Sequence, residues 1–133
     1  MPPFTIDWQE IQSGFLHLLV AFLLNAIIGW NREEEEHNIG IRSFPIVGMA
    51  SCTYMLLGAG APQVLQGLIT GIGFVGGGAI LKDGLTIKGT ATAASVWSAG
   101  AIGAAVAMNR FGLATILTLL SMLCTTSGGT CLW

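Results

Sequence analysis

Charge is what this sequence has least of. Five Lys and Arg and seven Asp and Glu make up 9% of its 133 residues. A soluble domain of ordinary composition carries about 25%, and a chain this poor in charge cannot cover its surface with water-compatible groups. Basic residues are scarcest, and the net charge is −2. That excludes the dense cationic surface nucleic-acid binding requires. The three cysteines, Cys52, Cys124 and Cys131, include no C-x-x-C pair. They imply neither a disulfide framework nor a zinc site and read as small apolar packing residues. Nor is there a Ser–His–Asp, Cys–His or Walker arrangement, so the chain is not expected to be an enzyme. The N-terminal MPPFTIDWQEIQ has no basic residue, and no small-x-small cleavage site follows it. The apolar run beyond it is expected to be a retained anchor, not a signal peptide.

Apolar residues are abundant: 53% of the chain is hydrophobic, and mean hydropathy is +0.73. They fall into five stretches with polar breaks between them. The first runs from Ile11 to Trp30, the second from Phe44 to about Gly60 and the third from about Val64 to Leu81. The fourth runs from about Ala91 to Met108, and the fifth from Phe111 to about Cys124. The expected fold is an all-α, polytopic transmembrane bundle of about five spans in a single domain, 1–133, with the Gly-rich third span at its centre. Four spans with a re-entrant segment is the alternative. Arg32 and Arg42 lie in the first loop, Lys82 and Lys88 in the third, and Arg110 alone in the fourth. The positive-inside rule then places loops one and three in the cytoplasm, the N-terminus outside and the C-terminus inside.

Within the third stretch, Gly71, Gly73 and Gly76 of TGIGFVGGGAILKDG spell G-x-G-x-x-G. A dinucleotide loop would open a helix directly after a strand and be followed by an acidic residue about 20 positions on. Here the glycines sit among Ile69, Ile72, Phe74 and Val75, and Ala91 and Thr92 stand where the acid belongs. The same glycines have another use in lipid, where small residues let helix backbones approach closely. Gly67 and Gly71 form G-x-x-x-G, as do Gly73 and Gly77, and Gly78 shares a face with the first pair. They are expected to admit neighbouring helices. A helix broken around a site also fits, since each interior Gly costs about 1 kcal/mol of propensity relative to Ala. The fourth stretch is made almost wholly of small residues, with Trp97 the bulky exception; the first and fifth carry the Leu, Phe and Ile suited to lipid contact.

The first loop, WNREEEEHNIGIRSF, and the third, LKDGLTIKGT, hold most of the remaining polar chemistry. Both are expected on the cytoplasmic face. Glu33 and Asp83 could form a small acidic cluster there, the weak candidates for a Mg2+ site, since magnesium needs only one or two carboxylates and keeps much of its water. A solvated acidic turn anchored by Arg32 accounts for the glutamates equally simply. No intramembrane row of carboxylates provides a proton relay.

Several stretches, in this order and spacing, resemble one family. They are GWNRE (Gly29, Arg32, Glu33), GIRSF (Gly40, Arg42, Ser43), GIGFVGGGAILKDGLTIKG (with Lys82 and Asp83) and TAASVWSAGAIG (with Trp97). Together they look like the MgtC/SapB family of bacterial inner-membrane proteins, over roughly residues 15 to 108. The resemblance implies a helical inner-membrane protein linked to growth at low magnesium and to survival of pathogens inside macrophages. It also implies a regulator that restrains the membrane ATP synthase in some members. No cofactor is implied. Many members carry a cytoplasmic C-terminal domain resembling ACT domains, which is not expected in this sequence. The run of four glutamates departs from the usual pattern, in which fewer acids follow the Arg. Two functions in different classes are expected: a non-enzymatic regulator that binds another membrane protein, or a cation channel or carrier. Glycine on several faces also leaves surface for a homodimer.

Overall fold

Asp7 starts the first helix. Its carboxylate accepts a hydrogen bond from the Gln9 backbone N–H at 3.0 Å, and its carbonyl accepts from Ile11, which satisfies donors that a helix start otherwise leaves unpaired. The computed structural model describes residues 6–32, 42–58 and 61–126. These comprise α1 (Trp8–Arg32), α2 (Ser43–Leu57), α3 (Pro62–Gly78), a hairpin of β1 (Leu81–Asp83) and β2 (Thr86–Lys88), α4 (Thr90–Ala107) and α5 (Phe111–Thr126). Pro62 opens α3 at a position where the missing N–H is no loss.

The third apolar stretch does not continue as helix to Leu81. α3 ends at Gly78, and the chain enters a hairpin in which Leu81 pairs with Lys88, Lys82 with Ile87 and Asp83 with Thr86. Gly84, at φ +61°, supplies the left-handed residue of the two-residue turn. Gly89, at φ +86°, then starts α4 so close to the end of α3 that a Cβ there would run into the Ala79 carbonyl oxygen. At its other end α4 stops in a Schellman arrangement. Asn109 N–H donates to the Val106 carbonyl and Arg110 N–H to the Ala105 carbonyl, with Asn109 at φ +59°. Asn tolerates that conformation better than most residues with a Cβ.

The centre of the bundle is α4, not α3. α4 touches all four other helices, whereas α3 rests on α4 and, more sparsely, on α2. The expectation of a central third span is therefore corrected. A helix surrounded by neighbours must be thin on nearly every side, and α4 buries Thr92, Ser95, Val96, Ala99, Gly100 and every residue from Ile102 to Val106. α3 buries only Ile72 and Gly76. Side chains from α1 (Ala21, Ile28), α2 (Phe44, Cys52), α4 (Val96, Ala99, Ile102, Val106) and α5 (Ala114) form the core.

Two contacts fix how α1 lies against α5. His17, one-third along α1, faces Asn109 in the α4–α5 turn at 2.9 Å, and Asn31 donates to the Thr125 hydroxyl at 2.7 Å. The two helices thus run parallel, and large apolar residues project outward from both, among them Phe15 and Phe22 on α1 and Leu119 and Leu123 on α5.

The expectation of about five spans is met only in part. Among the described residues, two helices are long and apolar enough to cross a bilayer, Trp8–Asn31 and Thr90–Ala107. At 1.5 Å per residue, the 15, 17 and 16 residues of α2, α3 and α5 reach about 22–26 Å. A typical hydrocarbon core is about 30 Å thick.

Candidate functional site

Close approach of backbones sets the geometry at the middle of the bundle. A Cβ at Gly103 of α4 would strike the Gly48 carbonyl oxygen of α2, and a Cβ at Gly48 would strike the Asn25 amide of α1. Gly103 thus lets α2 approach α4 closely, and Gly48 makes room for an asparagine from α1. Asn25 is fully buried, and its amide donates to the Ala21 carbonyl at 2.9 Å, while its Oδ1 has no hydrogen-bond partner among the described residues. Two buried hydroxyls bond within their own helix, Ser95 donating to the Ala91 carbonyl and Thr118 to the Ala114 carbonyl. Such back-bonding satisfies hydroxyl groups without lining a path.

The glycines singled out from the sequence lie elsewhere. Gly67, Gly71, Gly73, Gly77 and Gly78 each face open space, with nothing within 4 Å of where a Cβ would stand. Among the described residues they admit no neighbouring helix. The glycines that do are Gly48, Gly100 and Gly103, together with Gly76, whose Cβ would lie 3.2 Å from the Ala93 carbonyl oxygen. The α3 helix runs unbroken through its glycines, so Gly71, Gly73 and Gly76 form no phosphate-binding turn after a strand.

The charged candidates lie at the ends of the helices. Arg32 is the last residue of α1, and Arg42 stands exposed just before α2. Lys82 is exposed on β1, and Asp83 closes that strand opposite Thr86. Glu33 and the side chains of Arg32 and Asp83 lie outside the described residues, and with them the expected Glu33–Asp83 cluster. Among the described residues no group of three or more His, Cys, Asp or Glu could hold a metal ion.

Two grooves open on the sides of α3. One, of about 450 Å³, lies between α2 and α3 and is lined by Val47, Ser51, Tyr54, Val64, Gly67 and Gly71, among others. The other, of about 610 Å³, lies where α3, α4 and α5 meet, with Trp97 and Arg110 in its lining. Trp97 is 57% exposed there. The candidates named from the sequence include neither Asn25 nor Gly48. A polar side chain inside a span was itself the available signal.

Comparison with known proteins adds the family. The family model for MgtC matches residues 18–130. The chain belongs to the MgtC family. It is 31% identical over 102 residues to Protein MgtC of Brucella abortus (strain 2308), covering 72% of this chain and 43% of that one. To Protein MgtC of Salmonella typhimurium (strain LT2) it is 31% identical over 110 residues, 79% of this chain and 48% of the relative. An uncharacterized protein of Synechocystis sp. is 30% identical over 117 residues, 84% and 49%. The chain spans about half the length of the curated relatives it matches. No solved structure matches it at comparable significance. MgtC-family membership and the long apolar helices together support an inner-membrane location.

Proposed function

We propose that this MgtC-family chain is a non-enzymatic inner-membrane regulator that acts in adaptation to magnesium limitation and in virulence by binding other membrane proteins, with the ATP synthase as the candidate partner. In this reading all five helices lie in the bilayer, N-terminus outside and C-terminus cytoplasmic, the shorter ones accommodated by local thinning of the lipid. The observation that carries it is the open glycine face of α3. Among the described residues nothing lies within 4 Å of where a Cβ would stand at Gly67 or Gly71, and in lipid such an open face is most useful against another helix. A second copy of the chain is one such partner, giving a homodimer. The alternative reading, a cation channel or carrier, needs a continuous polar path.

Two measurements test it. Gly71→Leu, at a position where a Cβ meets nothing among the described residues, is expected to keep the helical circular dichroism of the parent and to abolish self-association in mild-detergent light scattering or capture of the partner. Purified protein in liposomes loaded with a magnesium-sensitive dye gives flux no greater than empty liposomes. Metal flux above that background would overturn the regulator as a complete account and support the carrier.

A further inference from the structure

The two grooves beside α3 differ in one respect: the one between α3, α4 and α5 ends on a cation. Its lining is apolar along most of its length, with Ala101 and Ala104 of α4 and Leu113 of α5 in its walls, and Met108 and Arg110 close it at the α4–α5 turn. Arg110 is exposed and, among the described residues, has no carboxylate partner. It immediately precedes α5, whose first turn contains no acidic residue. The unpaired N–H groups of a helix start add positive potential at the same corner.

The length of the groove fits this end. From Trp97 to Ala107 the helix rises about 15 Å. That is half of a hydrocarbon core of about 30 Å, or one leaflet. The groove thus runs from an interfacial cation to the depth of the acyl-chain ends, with Trp97 marking the deep end.

We propose that this groove is a binding site for one anionic phospholipid of the leaflet on the α4–α5 side. The phosphodiester lies between the Arg110 guanidinium and the first N–H groups of α5, and one acyl chain follows Met108, Ala104 and Ala101 to Trp97. The guanidinium provides paired, charge-assisted donors suited to a phosphate, and the small residues of α4 leave the channel for the chain. The α2–α3 groove offers no cation in its lining and takes no part in this selectivity.

The inference rests on the membrane placement proposed above, and the test separates the two. In a full-length variant whose only tryptophan is Trp97, reconstituted in zwitterionic bilayers, brominated phosphatidylglycerol is titrated against brominated phosphatidylcholine. Half-maximal quenching of Trp97 is expected at about tenfold lower mole fraction for the anionic lipid, the ratio one charge-assisted contact can supply. Arg110→Gln, at an exposed position, brings the two lipids to equal quenching. Ala101→Phe fills the channel and lowers quenching by the anionic lipid while Arg110 is intact. Equal quenching by both lipids in the parent protein overturns the site and leaves the membrane placement standing. Persistence of the preference in Arg110→Gln overturns the headgroup assignment. No quenching by either lipid overturns the placement of α4 in the bilayer as well.

Discussion

Replacing Gly103 by alanine adds one methyl group where α4 crosses α2. In an isolated helix that change gains about 1 kcal/mol of propensity. Here the new Cβ meets the Gly48 carbonyl oxygen, with the Gly48 carbonyl carbon at 2.9 Å and the Ser51 Cβ at 3.0 Å. None of these is the free end of a flexible chain that can swing aside. Carbon atoms rest at about 3.5–4.0 Å, so the helices must part by roughly 0.5–1 Å, a gap that forfeits a quarter to a half of each dispersion contact along the seam. Overpacking of this kind costs about 1–3 kcal/mol. After the gain in propensity, a net loss of up to about 2 kcal/mol is expected. Gly14→Ala is the control, since nothing lies within 4 Å of its Cβ position. It should hold or raise stability by up to about 1 kcal/mol. The assay is loss of helical circular dichroism on titrating dodecyl sulfate into mixed micelles, reversed to establish equilibrium. If Gly103→Ala proves as stable as Gly14→Ala, the close α2–α4 approach is wrong.

Asn25 should be replaceable by a smaller side chain but not by a branched one. Asn25→Ala removes an unpaired buried acceptor and should shift stability by no more than about 1 kcal/mol, whereas Asn25→Leu forces a branched chain against Gly48 and loses about 1–3 kcal/mol. A larger loss for Ala than for Leu in the same titration would reverse that ranking. Asn109→Ala keeps a Cβ at positive φ while losing the tie to His17, so it should lose about 1–2 kcal/mol. Asn109→Gly should lose less, and equal melting temperatures would refute the role of backbone conformation there. Asn31→Leu and Thr125→Val should couple in a double-mutant cycle by about 0.6 kcal/mol, the usual scale of an interhelical hydrogen bond in a membrane protein; purely additive effects would remove that bond.

The helices were legible from the sequence because lipid-compatible runs are punctuated by Pro, Gly and charge. Apolar stretches opening at Phe44 and Phe111 became α2 from Ser43 and α5 from Phe111. Their arrangement was not legible. Both α3 and α4 are rich in small residues, and composition does not say which of two thin helices is surrounded. Gly71 and Gly103 look alike in a string of letters, yet only the second meets another backbone. The β-hairpin was passed over although Asp83–Gly84, flanked by short alternating runs, is a recognised hairpin signal. The charged candidates were chosen by side and sign, and the bundle keeps Arg42 and Lys82 at its ends, where sequence could locate them but not join them.

The central position of α4 has a consequence for how the chain is made. α1 and α2 emerge first and already share an extensive seam, so they can pair while synthesis continues. α3 comes next, but most of its contacts are with a helix not yet synthesised. In the proposed membrane placement, until about residue 107 has left the ribosome, α3 waits with the face that α4 will cover still open. Assembly order is thus written into connectivity: the hub arrives fourth, and chaperone or insertase contacts during synthesis should concentrate on α3.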